Sequence, residues 1–285
     1  MLIDMNDANS DFAPVCSATP VQLRTQAATD NQHTNMQNYC KTIGALAAAS
    51  ALVAGNAQAE VEYELHAGYS SEYLFRGLDL GDNLVETGVN AATEWQGFGF
   101  SAGAWYGTFD APASPTLGTG SVTADELDLF AEVSKDFGFV TASVGYIAYI
   151  YPQSDSTKSL LIQDDLQEVT FGASHDFGFV EASFVYYLVA GSGDNGGYMQ
   201  ADLDRSFELN QCLTLNLNTN VGYFGDEGSF SAWTSRVSLD WGFAGTAKLS
   251  PFMAVSLDIS ESDATGVYVP DGNEFVGGAM ISASF

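Results

Sequence analysis

Lys135-Asp136-Phe137-Gly138-Phe139-Val140-Thr141-Ala142-Ser143-Val144-Gly145-Tyr146 recurs forty residues later as His175-Asp176-Phe177-Gly178-Phe179-Val180-Glu181-Ala182-Ser183-Phe184-Val185-Tyr186, identical at eight of twelve positions. An alternating apolar and polar run precedes each Asp-Phe-Gly-Phe and another follows it, so each copy reads as strand, tight turn, strand. Alternation places successive side chains on opposite faces of a strand. The unit is a hairpin, and a chain of hairpins is a meander.

The same period continues through most of the chain. Tyr63, Leu65, Ala67 and Tyr69 form one apolar register; Val85, Val89, Ala91 and Trp95 the next; Phe98, Phe100, Ala102, Ala104 and Tyr106 a third. Beyond the repeat, comparable registers end with Phe275, Gly277, Ala279, Ile281, Ala283 and Phe285. About twelve strands result. Between Leu166 and Val169 the register slips, so a bulge or a later strand start is expected there, and Arg205 shares an apolar register with Leu203 and Phe207, so a local bulge or a snorkelling side chain is expected at that position. Short connectors at Gln96-Gly97, Asp136 to Gly138, Asp176 to Gly178, Asn210-Gln211 and Gly242 to Gly245 alternate with long polar ones. The long ones are Gly77 to Asn83, Thr108 to Thr123, Pro152 to Asp165, Gly191 to Gly197, Gly225 to Ser229 and Ile259 to Asn273. Short turns at one end and long loops at the other, with an even strand number, predict an all-β, up-and-down antiparallel transmembrane barrel. Trp95, Phe98, Phe137, Phe139, Phe177, Phe179, Trp241 and Phe243 all flank short turns, as one interfacial girdle requires. A propeller has blades of similar size, but only two close copies occur here and the long loops do not recur at blade spacing.

Composition narrows the function. The 285 residues carry 36 acids and 8 bases, a formal charge of −28, too few cations to neutralise phosphates, which argues against nucleic-acid partners. Mean hydropathy is +0.02, and no apolar run reaches the roughly 18 residues of a spanning helix. Residues 36–59 have a weakly basic start, a short apolar core from Ile43 to Ala54 and the A-x-A site Ala57-Gln58-Ala59, the order of a secretory signal peptide. Residues 1–35 are polar and aperiodic, a disordered extension or a mis-assigned start, and the barrel is expected over 60–285. Downstream of the cleavage site stands one cysteine, Cys212, so no internal disulfide is expected in the mature chain.

If the apolar register faces lipid, the other faces the lumen. That set is mostly acidic: Glu62, Glu64, Glu86, Glu94, Asp128, Glu132, Glu168, Glu181, Asp202, Asp204 and Asp240, with Arg236 as a mid-strand base. Carboxylates on an inner wall require water and counter-ions, and collectively they lower the barrier for cations. Passive diffusion of small hydrophilic solutes with a cation preference follows. A non-conducting adhesion or structural barrel, whose carboxylates merely solvate a closed lumen, is the alternative, with a barrel-wall lipid enzyme behind it. Inward Trp105, Phe130, Tyr149 and Tyr187 could themselves close the passage. No catalytic, metal or cofactor site is expected. His66 and His175 lack a sequence-adjacent nucleophile arrangement, and the Asp-Gly stretches near 194 and 271 are explained by turn chemistry without calcium-loop spacing.

Gly68-Tyr69-Ser70-Ser71-Glu72-Tyr73-Leu74-Phe75-Arg76-Gly77 resembles the opening strand and loop of TorF-type porins, which carry a Tyr-Val-Phe-Arg-Gly stretch soon after the signal peptide. The matched residues are Tyr73, Phe75, Arg76 and Gly77, with Leu74 replacing Val. The resemblance implies a Gram-negative outer-membrane barrel with channel activity; read from its own position at a loop-side strand end, Arg76 can donate to loop carbonyls or acids, as a structural lock or as a pore residue. Phe285 resembles the terminal aromatic by which the barrel-assembly machinery recognises its clients.

Overall fold

A barrel strand must turn one row of side chains to lipid and the other to the interior, and this two-sided demand is met along the chain. The computed structural model describes residues 61–112, 121–152, 165–191, 196–260 and 272–285; the expected signal peptide and residues 1–35 lie outside them. The strands are β1 (Glu62–Phe75), β2 (Leu78–Trp95), β3 (Phe98–Pro112), β4 (Ser121–Asp136), β5 (Thr141–Ile150) and β6 (Leu166–Asp176). They continue as β7 (Glu181–Val189), β8 (Tyr198–Asn210), β9 (Leu213–Phe224), β10 (Ser229–Ala244), β11 (Ala247–Asp258) and β12 (Glu274–Ser284). Each strand pairs antiparallel with its sequence neighbours, and β1 pairs with β12 from Glu64↔Ser284 to Ser70↔Gly278. The chain is thus a closed twelve-stranded transmembrane barrel, which has no unpaired sheet edge.

The outward register carries Leu65, Val85, Val133, Val144, Phe171, Leu203, Leu217, Met253 and Ile281, all exposed. All eight turn-end aromatics expected in the girdle are exposed as well. A second belt, unmarked in the sequence reading, rings the loop end. Tyr69, Tyr106, Trp233 and Phe275 are exposed there, and the polar tips of the first three bond to Asn83, Asp125 and Thr219 at 2.9, 2.8 and 2.6 Å. Such rings have an apolar body for lipid and a polar tip for the headgroup level.

Several local expectations change. Gly77 to Asn83 is not a loop: β1 and β2 join through Arg76 and Gly77 alone, with Phe75 opposite Leu78. Residues 225–228 likewise form a short turn, closed by Gly228 N donating to Phe224 O at 2.9 Å. No bulge explains the slip near Leu166, because that residue pairs with Tyr149 in an unbroken register. It faces inward and packs on a buried aromatic cluster, so an apolar residue occupies the interior register. Arg205 stays on the outer face and snorkels: its Nη1 donates to Gly178 O at 3.0 Å, and its guanidinium stacks 5.1 Å from the Phe207 ring. Cys212 stands in the β8–β9 turn, where its backbone N donates to Asn210 Oδ1 at 2.9 Å.

Candidate functional site: a lumen crossed by the first hairpin

Interior and exterior differ most at the loop end, where the β1–β2 hairpin leaves the wall. The β1–β2 register shifts between Glu72 and Leu74, and the β2–β3 register between Asp82 and Val85. A bulge breaks alternation and bends a strand. Tyr73, which simple alternation would turn to lipid, is therefore buried against Trp105 and Phe109, with ring centroids 5.6 and 4.9 Å away. Gly81, at φ +152°, lies so close to Asp110 O that a Cβ would meet it at 2.4 Å. The tip then spans the interior, with Leu74 packed on Phe252, Ala254 and Val276 of β11 and β12.

Across the barrel Arg76 meets the far wall. Its Nη1 and Nη2 donate to the two carboxylate oxygens of Glu168 on β6 at 2.8 and 2.5 Å, and Tyr149 donates to the same carboxylate at 3.1 Å. The guanidinium also stacks on Phe75, Tyr187 and Tyr198, 4.8, 4.6 and 4.5 Å from their centroids. A planar bidentate fork between aromatic faces suits arginine and not lysine. On a third side, Ser231 Oγ donates to Arg76 O, and Gly77, at φ +83°, sits where a Cβ would be 2.3 Å from Ala232 Cβ. Ser231 and Ala232 are consecutive yet both buried, because β10 bulges between Phe230 and Trp233. The four motif residues, Tyr73, Phe75, Arg76 and Gly77, thus form one wedge.

This wedge divides the lumen. Toward β3–β8 the space is filled by Trp105, Phe109, Phe130, Ile147, Tyr149, Tyr187 and Tyr198 with the hairpin's Leu78, Leu80 and Leu84. Toward β9–β12 a cavity of about 150 Å³ remains, reached by Asn218, Asn220, Thr234 and Arg236 on one side and Glu86, Trp105 and Asp128 on the other.

The expected lumen acids occupy three settings. Glu168 is the latch partner; Asp128, beside Glu126, and Glu86, accepting from Trp105 Nε1 at 2.6 Å, border the cavity. Below it, Asp202 accepts from Gln200 Nε2 at 3.0 Å, Asp204 accepts from Asn218 Nδ2 at 2.8 Å, and Glu132 is hydrogen-bonded to Ser143. Near the turn end, Glu64 accepts from Ser284 at 3.4 Å, Glu181 lies opposite Asp204, and Asp240 pairs with Lys248 at 2.9 Å. Glu62 and Glu94 are exposed at the rim. Arg236 stands over the Phe252 ring at 3.5 Å. Sequence reasoning missed Glu126 by starting β4 at Leu127, although Glu126 shares parity with Asp128. It also missed Lys248, whose parity with Ser250 and Phe252 was the available signal. His66 is buried with Nε2 unpartnered, and His175 packs edge-on against Phe177 at 4.5 Å. Among the described residues no three His, Cys, Asp or Glu side chains are grouped to hold a metal ion.

An outward apolar wall, two aromatic belts and a polar interior define the class: the chain has the fold of bacterial outer-membrane β-barrels. It belongs to the family described as bacterial protein of unknown function, Gcw_chp, whose model matches residues 54–278. An outer-membrane channel from Pseudomonas putida F1 is similar, with 11% identity, a TM-score of 0.50, and coverage of 80% of this chain and 95% of that one. The NanC porin (13%, TM-score 0.43, 78% and 98% covered) and outer-membrane phospholipase A from Escherichia coli (13%, 0.42, 79% and 92%) are more distant likenesses. A comparison with curated protein sequences finds no match.

Proposed function

We propose that this protein is a narrow outer-membrane channel, exported through the signal peptide at 36–59, that passes small hydrophilic solutes with a preference for cations. The observation that carries this reading is the polar cavity left between the hairpin and the β9–β12 wall. It continues a lumen register in which Glu64, Glu132, Asp202 and Asp204 outweigh Arg236 and Lys248, and excess carboxylate in a confined pore favours cations. The TorF-type resemblance at Tyr73 to Gly77 points the same way. So does Phe285, the residue through which the barrel-assembly machinery would engage the chain. The reading involves no enzymatic step.

One observation favours a second reading, a barrel closed at rest: the Arg76 wedge fills the β3–β8 half of the mouth. Planar-bilayer recording of the purified protein separates the two. Conductance steps with a cation-selective reversal potential are expected. Their absence at every voltage tested leaves the closed barrel, and anion selectivity overturns the carboxylate argument.

A further inference from the structure

Glu126 and Asp128 stand two residues apart on β4 and so share its inner face. They are 1% and 3% exposed, and a hydrogen bond joins them. An ionised carboxyl accepts hydrogen bonds and donates none, so a bond between two carboxyl groups needs a proton on one of them. One proton is therefore a structural part of the closed mouth. The pair lies at the loop-end belt, where Asp125, the residue before Glu126, holds the Tyr106 hydroxyl at 2.8 Å.

The surroundings supply no substitute for that proton. The charged groups acting on Asp128 are Glu126, Glu168 and Arg76, and Arg76 gives one nitrogen to each oxygen of Glu168. From β5 come the hydroxyls of Tyr149, which donates to Glu168 at 3.1 Å, and Tyr151, 3.5 Å from Glu126. On β2 Glu86 borders the adjoining cavity and acts on His66 of β1, while Arg236 lines that cavity from β10 and lies over Phe252. The hairpin itself covers the pair: Tyr73 donates to Glu126 and packs on Trp105, the residue opposite Asp128. With the hairpin docked and the proton gone, three carboxylates would share one guanidinium in a space closed to water, where like charges repel strongly.

We propose that the Glu126–Asp128 pair is a proton-dependent second latch on the hairpin: the shared proton keeps the wedge docked, and its loss releases the tip toward the loop-end solvent and opens the β3–β8 half of the mouth. The direction follows from the proton count. Undocking hydrates both carboxyls, and hydrated carboxyls are ionised above about pH 5, so the docked state holds one proton more. Docking is then strongest in acid and weakens as pH rises, by up to about tenfold in the docked-to-undocked ratio per pH unit. The inference rests on the channel reading only for what the opened mouth passes; the latch itself stands on these contacts.

The test is acrylamide quenching of Trp105 from about pH 5 to about pH 9, below the range of tyrosine ionisation. It uses the full chain in detergent with W95F, W233F and W241F, which leave Trp105 as the one tryptophan. Trp105 is buried beside Tyr73, so undocking uncovers it, and quenching is expected to rise at least about twofold across this interval. D128N and E126Q each replace the proton by a permanent amide donor and are expected to stay shielded throughout, while H66Q keeps the parent slope. Quenching that is flat with pH in the parent protein, that rises unchanged in either amide variant, or whose rise vanishes in H66Q overturns the proposal. Infrared spectra of the unsubstituted protein need no variant to fold: a protonated-carboxyl stretch should disappear over the same interval, and its persistence or its absence throughout overturns the proposal too. Planar-bilayer recording keeps the two readings apart. Uncovering of Trp105 without conductance leaves the latch and removes the channel; conductance with Trp105 shielded at every pH does the reverse.

Discussion

Arg76 and Glu168, 92 residues apart in sequence, meet inside the barrel through two charge-assisted hydrogen bonds of 2.8 and 2.5 Å. Both side chains are buried. Forming such a pair gains little over an apolar contact, but removing one member leaves the other charge stranded, at about 3–5 kcal/mol. The hairpin tip has somewhere else to go, toward the loop-end solvent, so the expected response is undocking and not global unfolding. E168Q should therefore raise open probability in planar bilayers by at least about tenfold, since about 1.4 kcal/mol suffices for that factor. A wild-type trace from E168Q means the wedge does not govern the passage.

Docking at Gly77 is steric and can be disturbed without touching charge. A methyl group there would lie 2.3 Å from Ala232 Cβ on a backbone at φ +83°, which costs a non-glycine residue roughly 1–2 kcal/mol before any clash. G77A should reproduce the E168Q phenotype. Because Ala232 Cβ is the obstructing atom, G77A combined with A232G should recover part of the closed behaviour. Recovery equal to zero would place the disturbance in the backbone alone.

Most of the barrel is legible in the sequence because lipid and water impose a period of two on every wall strand, and one misplaced residue would face the wrong solvent. That is why the registers of β1, β4, β5 and β9 stand as read. The hairpin tip obeys no such rule. From Tyr73 to Gly81 every residue is buried or half-buried, so apolar Leu78 and Leu80 succeed one another beside Asp79, and the pattern reads as loop. The Arg76–Glu168 contact depends on bending at bulges and on the circumference of the closed ring, neither of which local sequence encodes. The Tyr-Leu-Phe-Arg-Gly motif marks the important segment, and the fold supplies its role.

The proposed cation preference would rest on acids outside the latch. Asp202 and Asp204 are buried on β8 below the cavity, and each is held by a neutral amide, Gln200 and Asn218, so replacing the carboxylate by an amide preserves shape while removing charge. D202N with D204N should lower the cation-to-anion permeability ratio by about twofold or more, read as a shift of reversal potential toward zero across a potassium chloride gradient. An unchanged reversal potential would assign selectivity to the latch half of the lumen or to the loops.

Phe285 separates closure from recognition. Its backbone exchanges two hydrogen bonds of 3.0 Å with Tyr63, and its ring stacks on the Tyr63 ring at 6.1 Å. It thereby ends the β1–β12 seam that closes the barrel. Deleting Phe285 removes both bonds and the ring contact, together about 2–4 kcal/mol, and should lower the urea midpoint of the protein refolded into lipid vesicles. F285A keeps the backbone bonds and loses only the ring, so its refolded stability should fall by no more than about 1.5 kcal/mol. In cells, by contrast, both changes should reduce the amount of barrel inserted in the outer membrane to a similar extent if the assembly machinery reads the terminal ring, as proposed. If F285A accumulates at the wild-type level while the deletion does not, Phe285 matters to this barrel through its seam and not through recognition.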